Sequence, residues 1–482
     1  MVLKKALIGI LILVFFLRLP SLFEPFTYGD EGIYLTLGQA LRQRVVLYRE
    51  IHDNKPPLLY WFAALAGNFT NFRFFIFVWS FLTVYLFFKL ARQLFRWNRL
   101  AVILATTLFA VLTSIHTFEG NVANAENFML LPIITGFLLI LKSLELRDSL
   151  LVFLSGILFS LAVLFKVPAA FDLLAALVFI ILVTSENNLN ALRMVIDAIL
   201  GFLLPILLTF IYFAFHGALQ QYLAAAFFQN IPYLSSWVMD QKQALGLPIG
   251  LISRTLLVGV VVLALFLYRK KLSLESKLVL IWFSFSLFAA LLSSRPYPHY
   301  LLQVIPSFSL SFGWVLIQSR ERIIPLLLAV ILIYSFFSFD FWRYPNVSYY
   351  LNFYQFTFGV KSREEYIAFF GHQTETIYPV ATYIQARTRP RDKIFVWGNQ
   401  PSIYVLARRL PVGRYTVAYH IVDFNAQQET ALALKKTSPP YIVKIKSEGN
   451  IFPDLEAFLK TDYLKVKTVE DVEIYRKMEI FD

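Results

Sequence analysis

The sequence predicts a polytopic α-helical membrane protein of about eleven transmembrane helices followed by a C-terminal extracytoplasmic α/β domain. Three observations carry this. Hydrophobic residues make up 58% of the 482 positions, and 49 of them are Phe. Charged residues are 16%, well under the roughly 25% usual in soluble domains. Apolar stretches long enough to span a bilayer recur along the first three quarters of the chain.

Those stretches lie near 6–23, 73–92, 99–116, 127–143, 150–166, 168–184, 195–215, 247–268, 278–293, 300–318 and 323–340. The first has a basic start and an apolar core, like a signal peptide. No small-residue cleavage site follows it, so it reads as a retained first helix. Basic residues alternate between junctions. Lys4/Lys5, Lys89/Arg92/Arg96/Arg99, Lys142/Arg147, Arg193, Arg269/Lys270/Lys271/Lys277 and Arg320/Arg322 mark one side. The intervening short junctions hold only Lys166, Lys242 and Arg295. Positive charge favours the cytoplasmic side, so the N-terminus is expected inside and the chain after the last span outside. The same bias accounts for the net charge of +13, and the basic residues do not cluster with aromatics as nucleic-acid binding would need. There is no cysteine, hence no thiolate chemistry.

Two domains follow: a transmembrane domain over 1–344, containing a long first outer loop at 24–72 with interfacial helices, and an α/β domain over 345–482. In the latter, IFVW (394–397), YIVKI (441–445), LKVKTV (464–469) and VEIYR (472–476) read as strands. Helical pieces are expected near 363–370, 375–387, 400–408, 427–436 and 454–460. No Gly-rich phosphate loop occurs, which argues against a nucleotide-linked substrate.

Polar residues at the outer helix ends stand out. In TYGDEGIYLTLGQAL (27–41), Asp30 suits a helix N-cap and Glu31 the first turn. In YREIHDNKPPLLYW (48–61), Asp53 and Lys55 precede a Pro-Pro helix start. In HTFEGNVANAENFMLLP (116–132), Glu119 and Glu126 sit at a membrane boundary, and Lys166 fills the turn between two spans. Asp172 lies inside an apolar run and needs a partner. In SSRPYPHYLLQVIPSFSL (293–310), Arg295, Tyr297, His299 and Tyr300 suit an anion at the lipid surface. Each has a structural reading as well, as cap, snorkelling lysine or interfacial aromatic. A transporter or flippase, or a ligase or polymerase of lipid-linked glycans, would also need intramembrane charges.

YGDEGIYLTLGQAL, LYREIHDNKPPLLYWFAAL, ANAENFMLLP, LAVLFKVPA and RPYPHYLLQVIPSFSL together resemble the GT-C class of polyprenyl-phosphate-sugar glycosyltransferases. The similarity is to the bacterial branch with protein O-mannosyltransferase-like and aminoarabinose-transferase-like enzymes, and it covers about 1–340. It implies an inner-membrane enzyme that takes a sugar from an undecaprenyl-phosphate-like donor, with inversion, on the extracytoplasmic side. The acceptor would be a hydroxyl of a glycolipid, polysaccharide or protein. By position the resemblance makes Asp30 the general base, Glu31 a shaper of the pocket and Glu126 a second acidic residue that orients acceptor or sugar. Lys55, Lys166, Arg295 and His299 would hold the donor phosphate. Asp53, Tyr297, Tyr300 and Glu119 complete the pocket. Some members use a divalent metal and others do not.

Overall fold

The computed structural model describes residues 1–96, 98–184, 188–231, 250–293, 295, 297–316, 323–340, 346–371, 373–448 and 451–478. Lys242, Arg320 and Arg322, used above for topology, lie outside them. Each of the eleven apolar stretches contains a helix. Among the described residues five helical segments have the length and apolarity to cross a membrane: Phe69–Phe95, Ala125–Leu146, Val167–Thr184, Leu189–Phe215 and Leu251–Tyr268. Arg99–Leu112, Ser149–Phe165 and Pro325–Ser338 are shorter apolar helices. The tenth stretch opens as a 3-10 turn, Pro298–Gln303, before the α-helix Ile305–Val315. Its Pro298 and the Pro306 near the helix start explain the break, since proline supplies no amide hydrogen.

The chain forms two compact units. The first comprises Met1–Leu22, Phe74–Tyr212 and Phe227–Tyr349. Its helices carry stripes of large apolar side chains open to the surroundings. On Leu251–Tyr268 these are Ile252, Leu256, Val260, Leu263 and Leu267. Such surface is stable only against lipid. Inside, small residues bring helices close. A Cβ on Gly156 would lie 2.0 Å from the Ala198 carbonyl oxygen, and one on Gly201 1.9 Å from that of Phe153. This is the small-residue contact that membrane helices use where apolar burial gives no gain.

The second unit comprises Phe23–Arg73, Phe213–Ala226 and Tyr350–Asp482. Its sheet has strands β1 (Lys393–Trp397), β2 (Leu410–Pro411), β3 (Tyr441–Ile445), β4 (Tyr463–Val469) and β5 (Val472–Lys477), in the order β2-β1-β3-β5-β4. β1 pairs in parallel with β2 and β3; β5 is antiparallel to β3 and β4. Alternate residues of β1 enter opposite cores. Phe395 and Trp397 pack with Leu434, Leu455 and Phe458, whereas Ile394 and Val396 pack with Ile377, Val380 and Tyr404. A sheet buried on both faces reads as a continuous apolar run, which is why IFVW was legible. The two-residue β2 and the six-residue helix Ala418–Asp423 were not, because neither is long enough to show a period.

The long first loop, 24–72, folds within this second unit. Helix Gly29–Arg42 packs on helix Leu58–Ala66 at Gly38, whose Cβ would meet the Ala64 nitrogen at 2.6 Å. Gly32 lies as closely against Ser402 of the tail.

Candidate active site

In the second unit, Asp30 does not cap its helix. Tyr28 occupies the N-cap position, where its side chain makes no capping bond, and Asp30 sits in the first turn, where a negative charge still suits the exposed amides. Its Oδ2 accepts from Tyr34 Oη at 2.8 Å and lies 3.6 Å from Lys55 Nζ. Both partners approach Oδ2, and among the described residues no hydrogen bond reaches Oδ1. The side chain is 31% exposed, so that oxygen is open to a reactant. Lys55 Nζ also lies over the Tyr34 ring, 4.9 Å from its centroid.

Glu31 points elsewhere. It is 1% exposed, and its Oε2 receives both Nε (2.9 Å) and Nη2 (2.8 Å) of Arg73. Arg73 also donates to the carbonyls of Glu24 and Pro25. The pair therefore ties the helix start to the segment before it. No sequence pattern above marks Arg73, although an arginine at the edge of an apolar run is the same kind of signal that flags Asp172.

Asp53 is buried. Tyr60 Oη donates to its Oδ2 at 2.6 Å, and His420 Nε2 lies 3.6 Å from Oδ1. Burial would push its carboxyl up, but Lys55 and His420 outweigh that and hold it below the usual range. Burial likewise pushes His420 down, toward the neutral form. Nothing in the sequence around His420 marks it.

In the first unit a second cluster forms. Asn124 caps helix Ala125–Leu146 through the Asn127 amide, which puts Glu126 in the first turn. Glu126 pairs with Lys166, and its Oε1 lies 3.6 Å from His299 Nε2. His299 Nδ1 lies 2.6 Å from Glu119 Oε2, so the imidazole bridges two carboxylates. Lys166 Nζ also sits 3.9 Å from the Tyr300 ring centroid, and the Tyr297 ring stacks on His299 at 5.6 Å. Arg295 is half-buried, its amide donating to Ser293 Oγ. The structure thus brings together Glu119, Glu126, Lys166, His299, Tyr297 and Tyr300.

Two supports here have no mark in the sequence. Arg18 donates to the Thr113 carbonyl at 2.6 Å and to Ser114 and Asn127, while Asn127 Nδ2 holds the carbonyls of Glu119 and Val122. They fix the loop that presents both glutamates. Asp172 finds its partners in Trp282 Nε1 (2.7 Å) and Gln303 Nε2 (2.6 Å). Among the described residues no group of three or more His, Asp or Glu is arranged to hold a metal ion.

A polytopic helical unit, two helices in the first loop and a C-terminal sheet domain make up the fold. Two structures of ArnT from Cupriavidus metallidurans, one bound to undecaprenyl phosphate and one in the apo state, are similar to this chain. Each superposes with a TM-score of 0.57. Identities are 13% and 12%, covering 97% of this chain and 97% and 96% of theirs. At such identity the likeness is one of fold. No family model and no curated protein matches the sequence.

Proposed function

We propose that this protein is an integral-membrane glycosyltransferase that moves a sugar from a polyprenyl-phosphate donor to an acceptor hydroxyl on the extracytoplasmic side. The observation that carries this reading is Asp30: a carboxylate on a rigid helix start, with one oxygen engaged by Tyr34 and Lys55 and the other open. The fold likeness to ArnT, solved with undecaprenyl phosphate, supports the donor class.

An acceptor hydroxyl is a weak nucleophile. Asp30 takes its proton as the oxygen attacks the anomeric carbon. The bond from that carbon to the phosphate oxygen breaks, and its electron pair leaves with the polyprenyl phosphate. A single displacement of this kind inverts the anomeric centre. Cations placed for the leaving phosphate lower the barrier. In the second unit Lys55, beside Asp30, is assigned that task; in the first unit Lys166, Arg295 and His299 are assigned to hold a phosphate, and Glu119 and Glu126 keep Lys166 and His299 in place. Glu31, held by Arg73, shapes the site through the backbone of its helix. Asp53 carries the charge opposite to Lys55 in the second unit, and Tyr297 and Tyr300 flank His299 and Lys166 in the first.

The test uses the purified chain in proteoliposomes with an undecaprenyl-phosphate sugar. Transfer to an acceptor, with Arg295→Ala raising the donor KM more than the acceptor KM, supports the reading. Donor lipid crossing the bilayer without transfer would assign a flippase instead.

A further inference from the structure

The tail beyond the last span has no part in the chemistry just described, yet it grips the loop that carries Lys55. The His52 amide donates to the Arg414 carbonyl at 2.8 Å, and Arg414 Nη2 returns a bond to the Tyr48 carbonyl at 2.9 Å. The first of these joins backbone to backbone and the second reaches from a side chain, so together they clamp residues 48–52. Asp53 follows at once, with its two oxygens serving different partners. Oδ1 faces His420 at 3.6 Å, both side chains buried, and Oδ2 accepts from Tyr60 Oη at 2.6 Å. Tyr60 Oη in turn accepts the Lys55 amide at 3.1 Å, and Tyr48 Oη donates to the Lys55 carbonyl at 2.7 Å. A path therefore runs from His420 through Asp53 and Tyr60 to the Lys55 amide, while Tyr48, in the clamped segment, holds the Lys55 carbonyl. His420 is itself fixed by ring contacts with Tyr419, Phe424 and His52.

We propose that His420 and Arg414 are positioning residues: the C-terminal domain sets the place of Lys55, and through it the pairing of Asp30. This rests on the function proposed above. Misplacing a reacting or charge-stabilising group by about 1 Å costs on the order of 100-fold in rate. The charged and titratable groups around the His420 ring are Asp53, Lys55, Asp30, Asp423, His52 and Tyr419. Protonating His420 adds a cation that competes with Lys55 for Asp53, which links the clamp to pH.

The experiment compares the full-length protein with His420→Phe, which keeps the ring volume, and His420→Gln, which restores a donor toward Asp53. Sugar transfer is followed against pH, and acylation of the Lys55 amine by an amine-selective reagent is followed without any donor. The expected result is a loss in kcat of about 10- to 100-fold in His420→Phe, largely recovered in His420→Gln. The wild-type enzyme should show an acid limb below the ordinary imidazole pKa of about 6.5, absent from His420→Gln. The Lys55 acylation rate should change in His420→Phe. An active wild type whose kcat, pH profile and Lys55 acylation are all unmoved by His420→Phe overturns the inference. A wild type without transfer, but with Lys55 acylation altered by His420→Phe, overturns the proposed function and keeps the clamp. If His420→Phe does not fold, Arg414→Met, at a partly exposed side chain, tests the same clamp by the same readouts.

Discussion

Asp30 and Glu31 are adjacent in sequence and opposite in fate. A one-residue step turns a side chain by about 100° around a helix, so neighbours cannot share a face. Asp30 is left partly open with Lys55, while Glu31 is enclosed with Arg73. Asp30→Asn is expected to lower kcat by about 100- to 10,000-fold, the range of a lost general base, with the thermal midpoint in detergent little changed. Full activity in that variant would remove Asp30 as the base. Glu31→Gln should do the reverse first. It leaves Arg73 buried beside a neutral partner, and breaking a buried pair costs about 3–5 kcal/mol. A lowered thermal midpoint and early loss of monodispersity would report it; unchanged stability would mean that Arg73 finds other compensation. The acidic pair was plain in the sequence, but its division of labour was not, because Arg73 lies 42 residues from Glu31.

Helix packing depends on a few positions without side chains. Gly38 lets Gly29–Arg42 lie against Leu58–Ala66, and Gly156 and Gly201 let Ser149–Phe165 meet Asn188–Phe215. In each case a methyl group would meet backbone atoms, which cannot rotate away. Gly156→Val should therefore destabilise by about 1–3 kcal/mol or more through overpacking, seen as a lower thermal midpoint in lipid nanodiscs. Gly259, on Leu251–Tyr268, has open space around it, so Gly259→Ala should be neutral or slightly stabilising on the same assay. Periodicity and apolar length made these helices legible. The contacts were not, since a glycine in an apolar run looks the same whether it faces lipid or another backbone.

Acid should loosen the second unit before it reaches the carboxylates in general. His420 is held below its ordinary pKa by burial, so the unfolded chain binds the proton first as pH falls past about 6.5. Asp53, held low by Lys55 and His420, adds a second loss below about 3.9. In both cases the stabilisation is present at higher pH and disappears on acidification. Limited proteolysis of the 410–424 segment should therefore accelerate as pH falls below the ordinary imidazole pKa of about 6.5, and His420→Phe should abolish that dependence above the carboxylate range. Equal acceleration in the variant would place the sensitivity elsewhere.

The sequence by itself determined the membrane class, the helical stretches, the longer strands of the tail and most of the charged groups at the helix ends. Those properties follow from local chemistry: apolar length against bilayer thickness, alternation along buried strands, and the rarity of charge beside lipid. Only the tertiary structure decided which charges meet. It paired Lys55 with Asp30, enclosed Glu31 with Arg73, set His299 between Glu119 and Glu126, and brought His420 to Asp53. Ion pairs between distant segments depend on where loops close, and loop closure is set by packing of the whole unit. No local pattern along the chain records it.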